Sequence, residues 1–223
     1  MARHVPHVFV PGPWAAPTLA VQFATQHHLE RVLRRRPGQP VTYTDGNGTI
    51  GSGRYEAEAV VCGDEEMSSA PWRTLTVAVA APHSTDRARL IVEKLGELGV
   101  EALVWLDTEH GAGRAPKPEK AAAWAVSALE QSHGARLLHI SGPRDPTGGW
   151  DETLELLVAD PAGRPIGDLA GSMGAAVAVL VGPEGGFAPG EVPETAIPVS
   201  LGRRILRGKT AAIVAAAIFT LTR

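Results

Sequence analysis

The residues best equipped for chemistry lie near the C-terminus, in two glycine-bearing loops. The first is "VAVLVGPEGGF", residues 177–187, where an apolar run ends at Gly182 and one carboxylate, Glu184, stands among Pro183, Gly185 and Gly186. Glycine takes backbone conformations closed to other residues and lets a ligand approach the main chain. The stretch therefore reads either as a tight turn alone or as a ligand loop. The second is "SLGRRILRGKTAA", residues 200–212. Its GKT invites comparison with a phosphate loop, but Walker A has four residues between its glycines, and Gly202 to Gly208 encloses five. No G-x-G-x-x-G with an acid about twenty residues on is present either. The two loops predict a pocket of some other kind.

Each loop follows a strand candidate, "AAVAVLV" and "AIPVSL", and the second leads into a helical "GKTAAIVAAAIFTLT". Upstream, the strand candidates "TLTVAVA", "EALVWL" and "LELLVAD" alternate with helical "STDRARLIVEKLGELGV" and "KPEKAAAWAVSALEQS". In the former, Ser84 or Thr85 can cap the helix, Leu90, Ile91, Leu95 and Leu98 share a face, and Gly99 stops it. Such alternation predicts an α/β domain with a mostly parallel sheet. Ligands in these sheets bind beyond the carboxyl ends of the strands, where "GPEGGF" sits. The N-terminal third reads differently. "VTYTDGNGTI" is a hairpin signal, because Asp-Gly and Asn-Gly accept positive φ, and "RYEAEAVV" continues in strand period. "ATQHHLERVLRRRPG" predicts a helix with Leu29, Val32 and Leu33 on one face, ended by Pro37-Gly38. Residues 1–66 thus form a small β-rich domain, "GDEEMSSAPW" a linker, and residues 72–223 the α/β domain.

The bulk numbers bound the partners. With 223 residues, 44% hydrophobic and 20% charged, the chain is globular and not disordered. Its net charge of -3 means that a nucleic acid must meet a local basic patch. The densest such run is Arg31, Arg34, Arg35 and Arg36 with His27 and His28, which suits either phosphate contact or a solvated helix end. A single cysteine, Cys62, makes no internal disulfide, and no Cys or acid cluster accompanies the histidines, so no metal site is expected. No signal peptide or membrane span is read, which predicts a cytoplasmic protein. Trp105 and Trp124 are expected in the core or at a dimer interface.

"LVGPEGGF" with Glu191 shortly after, then "LGRRILRGKTAA" and an Ala-rich final helix, closely resembles the RsmE family. Its members are SPOUT-class methyltransferases acting on N3 of a uridine in 16S ribosomal RNA. "HHLERVLRRRPG" and "DGNG" are similar to its PUA-like RNA-binding domain, "RARLIVEKLGELGV" and "SALEQS" to further family segments. The resemblance implies a C-terminal trefoil knot, S-adenosylmethionine as cofactor, the small ribosomal subunit as partner and a homodimer. It implies a cofactor pocket made from Leu180, Gly182, Pro183, Glu184, Gly185, Gly186, Leu201, Gly202, Ile205, Leu206, Arg207 and Thr210. RNA contacts would come from His28, Arg31, Arg34, Arg35 and Arg36.

Some positions depart from the family pattern. Lys209 stands where the family has an acid, Gly134 where it has an arginine, with Arg136 just beyond, and "DTEHGAGR" where it is rich in Arg and Ser. The cofactor loops are kept, so these departures leave open a different RNA target or a non-catalytic RNA-binding role. For the uridine reaction, N3 must lose a proton, and a cation beside the resulting anion supplies rate. Arg207 is the candidate cation. Glu184, the other catalytic candidate, can orient a substrate group or accept a proton, or can simply bond loop amides.

Overall fold

A computed structural model describes residues 5–221, excepting the side chains of Ala24 and His28. The chain falls into two compact units, Met1–Ala70 with Val126–Leu137, and Pro71–Ala125 with Leu138–Arg223.

The first unit is a five-stranded sheet. Its strands are β1 (His7–Phe9), β2 (Thr18–Ala20), β3 (Pro40–Thr44), β4 (Thr49–Glu56) and β5 (Ala59–Met67), in the order β1-β3-β4-β5-β2. The DGNG signal is the turn between antiparallel β3 and β4, with Gly46 at φ 75° and Gly48 at φ 113°. Asp45 holds it, Oδ1 accepting from Asn47 N at 2.7 Å and Thr49 N at 2.9 Å. "RYEAEAVV" is a second tight hairpin, reversing at Ala57 and Glu58, both at positive φ. The expected linker begins later than "GDEEM", because β5 runs on to Met67 and pairs Glu65 and Glu66 with β4. Acidic side chains are tolerated there because they face solvent.

The expected helix is shorter than its period suggested. Helix α1 (Phe23–His27) passes into one π turn, His28–Val32, and stops. Leu29 is buried, but Val32 is 60% exposed and Leu33 also lies at the surface, so no three-residue apolar face forms. Arg35 N donates to Leu29 O at 2.8 Å while Arg34 takes φ 52°. The break therefore comes before Pro37-Gly38.

Residues 126–137 join this unit through the turn: Gly48 N donates to Ala135 O and Leu137 N to Gly46 O. Arg136 Nη1 donates to Asn47 O at 3.1 Å. Buried His7 links the same segment to β3, one ring nitrogen at 2.8 Å from Thr42 Oγ1 and the other at 3.0 Å from Gly134 O. Its ring stacks on His133. Desolvation holds its pKa below the ordinary value, against the Gly134 carbonyl.

The second unit holds a six-stranded sheet in which every adjacent pair is parallel. Its strands are β6 (Thr74–Ala80), β7 (Ala102–Leu106), β8 (His139–Arg144), β9 (Glu155–Pro165), β10 (Ala176–Val181) and β11 (Ile197–Ser200), ordered β11-β9-β10-β6-β7-β8. Its central strands are buried along most of their length, as a sheet covered on both faces requires. Helices α2 (Thr85–Glu97), α3 (Pro118–Ser132) and α4 (Gly208–Leu221) complete it, with the end of α3 belonging to the first unit. Ser84 is the N-cap of α2 but makes no side-chain capping bond. The buried face of α2 is Ala88, Ile91, Val92 and Leu95, so Ile91 and Leu95 stand as read from the sequence while Leu90 and Leu98 are half-buried. Ala211, Ala212, Ala215 and Ala216 let α4 pack closely on β6 and β10. Trp105 and Trp124 are both buried.

Candidate functional site

The strand order places the carboxyl ends of β10, β6 and β7 side by side. The loops leaving them enclose a cavity of about 290 Å³. Residues 81–83 enter from the β6 loop, 110–112 from the β7 loop, 182–185 from the β10 loop and 207–209 from the start of α4. Arg87 and Ile91 of α2 complete the wall.

The glycine loop is a real turn as well as a wall. Gly186 N donates to Pro183 O at 2.9 Å, and Gly186 takes φ 74°. A Cβ on Gly185 would stand 3.2 Å from His110 Cβ, so the β7 loop lies directly against it. Three bonds fix that contact. His110 Nδ1 lies 3.2 Å from Gly186 O. Glu191 accepts Glu109 N on Oε1 at 2.5 Å and Ala188 N on Oε2 at 2.7 Å. Glu184 is exposed, with its carboxylate 4.0 Å from Arg87 Nη1.

Arg207 immediately precedes α4, and its carbonyl accepts Thr210 N at 2.8 Å and Ala211 N at 2.9 Å. No acid lies in the first turn, and Lys209 sits within it. Cations at a helix N-terminus oppose the macrodipole, so this end concentrates positive charge against local preference. Such an arrangement suits a ligand that carries or develops negative charge.

The cavity unites five of the residues expected in the pocket: Gly182, Pro183, Glu184, Gly185 and Arg207. Leu180 lies beneath, wholly buried in an apolar cluster that Phe187 packs against. Gly186 flanks the wall. Leu201 and Leu206 are half-buried, Gly202 and Thr210 exposed, and Ile205 is 86% exposed. Of the expected RNA contacts, Arg31, Arg34 and Arg36 are exposed and Arg35 is half-buried, all in the first unit. The side chain of His28 lies outside the described residues. Among the described residues, no group of three His, Cys, Asp or Glu is placed to hold a metal, and no helix is long and apolar enough to cross a membrane.

Sequence reasoning did not name His83, Arg87 or His110 as site residues. The signal was present: the carboxyl-end rule that selected "GPEGGF" applies equally to the loops after "TLTVAVA" and "EALVWL".

A family model described as an RNA methyltransferase domain matches residues 69–220. A ribosomal RNA small subunit methyltransferase E from Mycobacterium bovis is 30% identical over 212 residues, covering 84% of this chain and 80% of that protein. One of the same name from Synechocystis is 30% identical, covering 90% of this chain and 72% of that protein. The crystal structure of ribosomal RNA small subunit methyltransferase E from Neisseria gonorrhoeae, bound to S-adenosyl methionine, superposes with a TM-score of 0.85 at 27% identity, covering 98% of each chain. On the family match and the identity along most of its length, the chain belongs to the ribosomal RNA small subunit methyltransferase E family.

Proposed function

We propose that this protein transfers a methyl group from S-adenosylmethionine to N3 of a uridine in the 16S RNA of the small ribosomal subunit. The observation that carries the reading is the charge at the start of α4. Arg207 and Lys209 line one cavity with the glycine loop, beside helix N–H groups and with no acid in that turn. Uridine N3 becomes nucleophilic only on losing its proton, and the charge then spreads over N3 and both carbonyl oxygens. The guanidinium of Arg207 is a permanent cation with several donors, suited to hold that anion in the transition state.

The residues fit the cofactor. Gly185 and Gly186 put bare main chain at the loop, and nothing lies within 4 Å of where a Cβ on Gly186 would stand. Leu201 and Leu206 add apolar surface in the neighbouring loop. These two loops would hold S-adenosylmethionine, which supplies an electrophilic methyl group when bound. Glu184, exposed and beside Arg87, orients a substrate group in this account and does not hold the loop's amides.

The first unit would hold RNA through Arg31, Arg34, Arg35 and Arg36, and the protein would work as a cytoplasmic homodimer with a knotted C-terminal chain. Lys209, in place of an acid, favours a second reading in which the same chemistry serves a different RNA target. Calorimetry and labelled-methyl transfer to small-subunit particles test the proposal together. Cofactor binding with transfer is expected; binding to RNA with no cofactor affinity would make the chain a non-catalytic homologue.

A further inference from the structure

The uridine reaction needs a group to take the N3 proton, and cations alone cannot do so. The cavity wall carries His83, Glu184 and His110 as candidates. Glu184 already faces Arg87. His110 is differently placed, because its ring is oriented by the glycine loop: Nδ1 lies 3.2 Å from the carbonyl oxygen of Gly186. A carbonyl only accepts, so in the neutral ring Nδ1 carries the hydrogen and Nε2 keeps its lone pair. The preceding residue is pinned as well, since Glu109 N is held by Glu191. An imidazole held in one tautomer by a hydrogen bond at the other nitrogen is the usual arrangement of a general base.

We infer that His110, through Nε2, accepts the N3 proton of the target uridine; this rests on the uridine reading above. The N3–H bond breaks with its proton passing to Nε2. The nitrogen pair so released forms the N3–methyl bond, the methyl–sulfur bond breaks with its electrons left on sulfur, and the imidazolium returns its proton to water. The charged groups sharing the wall are Arg87, Glu184, Arg207 and Lys209, with His83 as the other imidazole. Arg207 and Lys209 favour the uridine anion, which lowers the cost of giving up the N3 proton.

The first test needs no reaction. Nitrogen NMR of the ligand-free protein at neutral pH should show the Nδ1–H tautomer for His110; the Nε2–H tautomer would overturn the assignment. The second uses His110→Asn, whose amide can still donate to Gly186 O but offers no base. Its single-turnover rate on small-subunit particles should fall by about 10²-fold or more. The acid limb of the wild-type rate profile should vanish, with cofactor affinity within about two-fold. Added imidazole should partly restore His110→Ala. A near-normal rate in His110→Asn, or affinity lost in step with rate, would reduce His110 to a structural contact. If the wild type itself makes no N3-methyluridine, the uridine reading fails and this assignment with it.

Discussion

Glu191 and Glu109 are joined across two loops: Glu191 Oε1 accepts the backbone N–H of Glu109 at 2.5 Å, while its other oxygen takes that of Ala188 at 2.7 Å. One carboxylate thereby ties the loop after β7 to the loop after β10. Hydrogen bonds to a charged acceptor are worth about 1.5–3 kcal/mol each. Glu191→Ala should lower the urea-unfolding free energy by about 1–3 kcal/mol, since water replaces part of the loss. Cofactor affinity should fall with it, and Glu191→Gln, which keeps one acceptor oxygen, should lose less. Unchanged stability in Glu191→Ala would show that the loops hold their positions without the bridge.

Gly185 and Gly186 should fail for different reasons. At φ 74°, a Cβ on Gly186 strains the backbone by about 1–2 kcal/mol, and a branched one by more. Gly185 has no such φ, but its Cβ would meet His110 at 3.2 Å. Gly186→Val should therefore be the less stable of the two in thermal unfolding, and both should lose S-adenosylmethionine binding by calorimetry. Full affinity in folded variants would return the loop to a plain turn.

Arg207→Ala should slow single-turnover methylation by about 10²–10³-fold, the usual cost of removing one oxyanion donor. Arg207→Lys should be less impaired, and cofactor affinity should change little because the contact belongs to the transition state. Lys209 lines the same cavity, so Arg207→Ala combined with Lys209→Ala should be slower than either alone. Near-normal rates in all three would remove this cation pair from the mechanism.

The exposed arginines carry a separate expectation. Arg34→Glu with Arg36→Glu should weaken RNA binding and flatten its salt dependence. Cofactor affinity should be untouched, since both residues belong to the first unit. RNA affinity that holds at matched ionic strength would make the patch a solvated surface.

His7 gives a pH prediction. Burial lowers its pKa in the fold from an ordinary value of 6.5, so the unfolded chain binds the proton more readily. Stability is then fully present above about pH 6.5 and is lost as pH falls through the lower, folded value. The urea midpoint should drop as pH falls below about 6.5, before exposed carboxylates such as Asp145 and Asp151 protonate. His7→Gln should flatten that slope. A midpoint that rises on acidification would contradict the buried neutral ring.

The sequence was most legible where one physical pattern dominates. Alternating apolar strands and helices announced the parallel sheet, and Asp45–Gly48 announced its hairpin, because Gly46 and Gly48 supply the positive φ that turn needs. Legibility failed where tertiary contacts override local preference. Leu29, Val32 and Leu33 have helical spacing, yet the chain leaves the helix after Val32. β5 runs through three acids because only its pairing with β4 decides it. β8 was not read, since "HISGPR" contains a Gly-Pro that suggests a turn. At the site, the glycine loop and Arg207 were readable as motifs. His83, Arg87 and His110 carried only the general carboxyl-end signal, and it is the order β10-β6-β7 that gathers them into one wall.

Nucleoside analysis of small-subunit RNA reads the methylated position itself. Particles from a strain lacking this protein are incubated with the purified protein and methyl-labelled S-adenosylmethionine, and the RNA is digested and separated. Label is expected in N3-methyluridine, and the same nucleoside should be missing from the untreated particles. Label in another nucleoside, or none despite measured cofactor binding, would contradict it.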